Sequence, residues 1–134
     1  MSTVFSKIIK GEIPCFKVFQ NDRVLAFLDV NPLARGHVLV IPKVEVDNLF
    51  DLEEGIYNEL FLVTKKLSAC IKEVVPCKKI GLAVIGLEVP HAHIHLVPIN
   101  NADDLNFTRK KLTFSDQENI ELAAQISQAF KLIY

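Results

Sequence analysis

The sequence predicts an α+β fold: an antiparallel sheet of about five strands, one long helix and a C-terminal helix. Three observations lead there. Several short apolar runs follow one another through links rich in turn residues. Residues 52–74 repeat apolar side chains every three or four positions. Two later runs, 79–85 and 91–97, are joined by the short stretch GLEVP, which suits an antiparallel pair. Sequential strands with short links and separate helices are the mark of an α+β architecture.

Each element has its own local reason. Residues 4–10 read as a short helix that Gly11 ends, with Pro14 just beyond. Strands follow at 15–20 and 24–29, with Asn21-Asp22 as hairpin-turn chemistry between them. The loop VNPLARG leads into a strand at 37–42 that a histidine opens. In the long helix Leu52, Ile56, Leu60, Val63, Leu67, Ile71 and Val74 form one stripe. Asp51 is placed as its N-cap, Glu54 sits in the capping-box position, and Pro76 stops it. Phe61 lies off the stripe, so a second face is covered either within the chain or by a partner. Ser115 and Glu118 form a second capping box, opening a helix that carries Ile120, Ala123, Ala124, Ala129 and Phe130.

Composition narrows the function. Half the residues are hydrophobic, enough for a real core, and the length fits one domain over residues 1–134. The net charge of −1 gives no reason to expect a nucleic-acid partner. No apolar run approaches a membrane span, and the N-terminal stretch MSTVFSKIIKGEIP does not look like a signal peptide. Three cysteines without a C-x-x-C pair fit a reducing cytoplasm.

The chemistry lies in HAHIHLV. Three of the four histidines stand at alternate positions, His91, His93 and His95. Side chains two apart in a strand share a face at about 7 Å spacing, so three imidazoles can line one site. One strand histidine is ordinarily a surface or satisfied core residue; three in register point to chemistry. Three chemistries remain open on the residues alone. The His-x-His spacing, with His37, suits zinc, although no acidic residue lies in the strand to orient the ligands. A neutral imidazole is also a competent nucleophile at phosphorus, with its neighbours as N–H donors. The same rings would serve a binding site for a phosphate-containing ligand without catalysis.

HAHIHLV, together with the upstream blocks FSKIIKGEIP and AFLDVNPLARGHVLVIPK in that order, resembles the histidine triad (HIT) superfamily over roughly residues 3–99, in its nucleotide-binding branch. The resemblance implies a HIT-like fold; the region after Ile99 departs from the family, ending in a helix rather than a short tail. The resemblance also implies a metal-independent hydrolase or transferase without a cofactor, acting on the α-phosphate of purine nucleotides through a nucleotidyl-histidine intermediate. A nucleoside phosphoramidase is the leading form; a dinucleoside polyphosphate hydrolase or a non-catalytic nucleotide-binding module are the alternatives, with a zinc-dependent hydrolase behind them. On the matching positions, His93 would be the nucleophile. His95 would hold the α-phosphate and assist the leaving group, and His91 and His37 would orient the site and set its protonation. Asp29 would accept the ribose hydroxyls, and Phe5, Ile8, Phe27, Val30 and Leu39 would enclose the base, though each is also an ordinary core candidate. A homodimer through the long helix and an edge strand is implied, and no N-terminal cysteine pair is present for a structural zinc.

The chain departs from the family in the loop IGLEVP, which has no Gln, Ser, Thr or Asn for the phosphate and carries Glu88 instead. Glu88 would repel a phosphate if it pointed inward; it points out, or meets an amine or cation. Lys110 and Lys111 beyond the triad could approach the phosphates, but they read first as a solvated basic stretch.

Overall fold

The computed structural model describes residues 2–134. Helix α1 (Val4–Ile9) starts at Thr3, whose hydroxyl accepts the Ser6 amide in a capping box, and Gly11 follows its end at φ 79°. Strands β1 (Lys17–Gln20) and β2 (Val24–Leu28) form a hairpin. Its turn is held by the Asn21 carboxamide, whose oxygen accepts the amides of Arg23 and Val24 at 2.9 and 2.8 Å. Strand β3 (Val38–Pro42) is followed by helix α2 (Glu54–Val74), strands β4 (Lys79–Ala83) and β5 (Ile94–Ile99), and helix α3 (Asp116–Ile133). The sheet order is β1-β2-β3-β5-β4, antiparallel throughout. The expected five-stranded α+β architecture is found.

Strand alternation divides the sheet into two unlike faces. Val24, Ala26, Leu28, Val38, Val40, Ile94 and Leu96 point to the face covered by α2 and α3, where Leu60, Leu67, Ile71, Leu122 and Ile126 complete the main core. Leu25, Phe27, Leu39 and Ile41 point the other way and pack with Phe5 of α1 in a second, smaller cluster. His95, flanked by Ile94 and Leu96, therefore belongs to the second face. Phe61 is partly buried against the main core and stacks on Tyr57 at 4.9 Å, so its face is covered in part by its own chain.

Three local expectations are corrected. Asp51 does not cap α2; it ends a 3₁₀ turn, Leu49–Asp51, capped by Asn48. The helix begins at Glu54 behind Glu53, which makes no side-chain capping bond. Strand β4 stops at Ala83, opposite His95, rather than at residue 85. Strand β5 begins at Ile94, so His91 and His93 precede it. The reason is backbone competition: the His91 amide bonds Val89 O at 2.8 Å and the Ala92 amide bonds Val46 O at 2.7 Å, which draws residues 91–93 out of the ladder.

Candidate active site

The histidines are held by backbone groups that fix which nitrogen carries the proton. The Leu33 amide donates to Nδ1 of His37 at 3.0 Å. That nitrogen is therefore a lone pair, so His37 carries its proton on Nε2 and donates it to Nδ1 of His95 at 2.9 Å. His95 in turn keeps its proton on Nε2. At His93, Nδ1–H donates to the carbonyl of His91 at 2.7 Å, which leaves Nε2 as a free lone pair. His91 donates Nε2–H to Pro42 O at 2.9 Å and is fully buried. Gly36 at φ 94° delivers His37 to the start of β3.

Burial sets the charge of these rings. It holds His37 down at about 3, with the charges of His95 and Lys111 acting in the same direction. It holds His95 at about 4, helped by His93. Burial also lowers His91, against the opposing pull of the Pro42 carbonyl and Glu45. His37 and His95 are thus neutral at pH 7, as the hydrogen-bond chain requires. Asp29 lies beside them: Oδ1 accepts the Asn31 amide at 2.8 Å and Oδ2 is 3.6 Å from His37 Nε2. Burial raises the Asp29 carboxyl, and the Asn31 bond and the charges of His93 and Lys111 oppose that rise.

A cavity of about 590 Å³ opens over this group. His37, His93, His95 and Asp29 form its polar wall, and Phe5, Ile8, Phe27 and Leu39 line its apolar part. Phe5 packs edge-on against His93 at 4.9 Å and Phe27 at 5.8 Å. Val30 also lines the cavity but is 56% exposed, so it belongs to the mouth. His91 does not line it; it lies behind, against Phe5 and the strand β3 backbone. Every other candidate site residue is brought to one place.

Sequence reasoning missed Phe107, whose ring sits 4.8 Å from that of His95 and 6.1 Å from that of His37. Ile13, Pro14 and Cys15 also line the apolar part. Nothing local marks these positions, because long-range contacts bring them in. Lys111 is a correction: it is half-buried at the cavity wall, where it had been expected to be solvated. The segment that carries it is fastened by the Leu112 amide bonding Pro32 O at 2.8 Å.

Asp29, His37 and His95 each place one donor atom within 4.8 Å of the others, which raises the question of a metal. The hydrogen bonds answer against it. A histidine that binds a metal through Nε2 needs a proton on Nδ1 and an acceptor facing it. His37 Nδ1 instead faces a backbone donor, the Leu33 amide. The donor set fits a chain of neutral imidazoles better than a ligand sphere.

Comparison with known proteins gives a consistent picture. The family model described as HIT domain matches residues 10–102. An uncharacterized HIT-like protein of Borreliella burgdorferi is 37% identical over 132 residues, covering 92% of this chain and 95% of its own. A Schizosaccharomyces pombe protein named adenosine 5'-monophosphoramidase is 32% identical over 133 residues, covering 98% and 100%. The crystal structure of a hypothetical histidine triad nucleotide-binding protein from Sulfolobus tokodaii superposes with a TM-score of 0.82 at 26% identity, covering 96% of this chain and 92% of that one.

Proposed function

The chain belongs to the HIT domain family, and from that premise we propose that it is a metal-independent nucleotide hydrolase or transferase acting at the α-phosphate of purine nucleotides, with a nucleoside phosphoramidase as its leading activity. One observation carries the reading: the Nδ1–H···O=C bond of His93 to His91, which leaves Nε2 as a lone pair at the cavity. In the proposed reaction His93 Nε2 attacks the α-phosphorus. A P–N bond to the ring forms as the bond to the leaving group breaks. His95 offers Nε2–H to a phosphate oxygen or to the departing atom, and His37 supports it by filling its Nδ1 with a proton. Water then attacks phosphorus: a P–O bond forms as the P–N bond to His93 breaks, the water's proton returns to His95 Nε2 if it went to the departing atom, and the nucleoside monophosphate leaves. Asp29 accepts the ribose hydroxyls, since a carboxylate offers only acceptors and a cis-diol two donors. Phe5, Ile8, Phe27 and Leu39 hold the base, with Val30 at the mouth. His91 positions His93 through its carbonyl and packs on Phe5.

The test is release of AMP from adenosine 5'-phosphoramidate in the presence of a chelator. Wild type should turn over, and His93→Ala should lose on the order of 10⁴-fold or more while keeping its fold. A His93→Ala protein with wild-type turnover would end this mechanism.

The loop at residues 85–90 supports one second reading. It brings Glu88 but no hydroxyl or amide side chain to the cavity, which favours binding without turnover. AMP binding with no hydrolysis of any P–N or P–O substrate would select it.

We also propose that the protein works as a cytoplasmic homodimer. Cys15, Cys70 and Cys77 are free thiols, in keeping with a reducing compartment. No helix among the described residues is long and apolar enough to cross a membrane. Strand β4 is an edge of the sheet, and Leu82, Val84, Ile85 and Leu87 on it and just beyond are exposed.

A further inference from the structure

Two of the three histidines that line the cavity are held neutral and bring no charge to meet a nucleotide. A nucleotide brings negative charge. His37 and His95 are neutral at pH 7, as their pKa values of about 3 and 4 require. Asp29 and Glu88 add two carboxyl groups to the lining. Residues 85–90 offer no side-chain donor that would offset them. Among the described lining residues, Lys111 is the one lysine or arginine.

The position of Lys111 is built. Its ammonium donates to Phe107 O at 2.5 Å and to Arg109 O at 3.1 Å. An ammonium has three donors, so one remains. Among the described residues it forms no ion pair with a carboxylate: Arg109 takes Asp103 and Asp104, and Asp29 lies near His37. Two carbonyls therefore hold the charge at the cavity wall without neutralising it. The backbone on either side is fixed as well, by the packing of Phe107 on His95 and by the bond from Leu112 to Pro32. Lys111 lines the same cavity as His37 and Asp29, and its charge lowers both groups.

We propose that Lys111 is the phosphate-anchoring cation of the site, supplied by the segment after β5 in place of the donors that the loop at 85–90 lacks. This rests on the nucleotide reading given above. The ammonium faces the phosphate oxygens of the bound nucleotide and offsets the carboxyl groups around it. A hydrogen bond to a charged group contributes enough that its loss reads as roughly a tenfold to hundredfold change in affinity.

The experiment is calorimetric titration of the full chain with AMP and with adenosine, at low and moderate salt. Lys111→Gln should weaken AMP about tenfold or more and leave the ratio of AMP to adenosine affinity correspondingly reduced; Lys111→Arg should restore most of the AMP affinity. Adenosine carries no phosphate and serves as the reference for general damage to the cavity. Equal weakening of both ligands would assign Lys111 a structural role through Phe107 and Arg109 and overturn the proposal. Unchanged AMP affinity in Lys111→Gln would overturn it too, while wild-type AMP binding and phosphoramidate turnover left the nucleotide reading standing. A wild type that binds neither ligand would remove that reading, and this inference with it.

Discussion

At the scale of single residues, the site is governed by backbone groups rather than by carboxylates. The Leu33 amide, the Pro42 carbonyl and the His91 carbonyl each face one ring nitrogen, and together they assign the proton of His37, His91 and His93. Burying neutral imidazoles has a thermodynamic consequence. The unfolded chain takes up protons near pH 6.5, whereas folded His95 and His37 resist protonation down to about 4 and 3. Protons thus favour the unfolded state below about pH 6.5, and stability falls as pH falls through this window. His91 acts in the same sense. Asp29, whose carboxyl is raised, binds its proton more readily when folded and offsets part of the loss. Each histidine contributes at most about 1.4 kcal/mol per pH unit, less where solvent screens it. Urea midpoints measured from pH 7.5 to 5 should decline; a flat or rising series would show that the rings are not held neutral.

At the scale of elements, alternation made His93 and His95 legible as neighbours, while the resemblance of the motif blocks implied His37, Asp29 and the apolar lining. The apolar partners of the triad, Ala92, Ile94 and Leu96, are buried in the main core, as the strand pattern predicts. The helix stripe was equally readable, because Leu60, Val63, Leu67 and Ile71 recur at the period of one buried face. Termini were harder to read. Asp51 has the right chemistry for a cap, but the Asn48 side chain accepts the Phe50 amide and starts a 3₁₀ turn that takes in Asp51. Gly36 is the element-scale feature with the sharpest consequence. At φ 94° a Cβ would meet Val75 Cγ2 at 3.0 Å and Pro98 Cγ at 3.1 Å. Gly36→Ala should therefore cost about 2–4 kcal/mol, combining backbone strain with overpacking. Gly11→Ala, at φ 79° with nothing within 4 Å, should cost about 1 kcal/mol. Urea unfolding of the two variants decides this; equal losses would mean that the space around Gly36 yields freely.

At the scale of the whole molecule, two parts of the sheet call for a covering, the face packed by the helices and the edge at β4. The first is supplied by the chain. The proposed dimer supplies the second. Sedimentation velocity at micromolar concentration should give twice the 15.1 kDa chain mass, and Leu82→Glu should shift the species toward a monomer. Wild type sedimenting at the mass of one chain would sink the dimer. The cavity also depends on this scale, since it is walled by α1, by β2 and β3, by the loop at 85–90 and by the segment around residues 107–111.

The sequence by itself determined the elements, the two-faced sheet and the clustering of His93 and His95 with His37 and Asp29. The elements and the triad follow from periodicity and turn chemistry, which are local in the chain; the joining of His37 and Asp29 to the triad is what the resemblance of the motif blocks implied. The tertiary structure alone decided where β5 starts, which nitrogen of each ring is protonated, and that Phe107 and Lys111 stand at the site. Those outcomes depend on backbone donors and acceptors and on packing between segments far apart in sequence. A competition for hydrogen bonds across such distances leaves no periodic trace in the order of the residues.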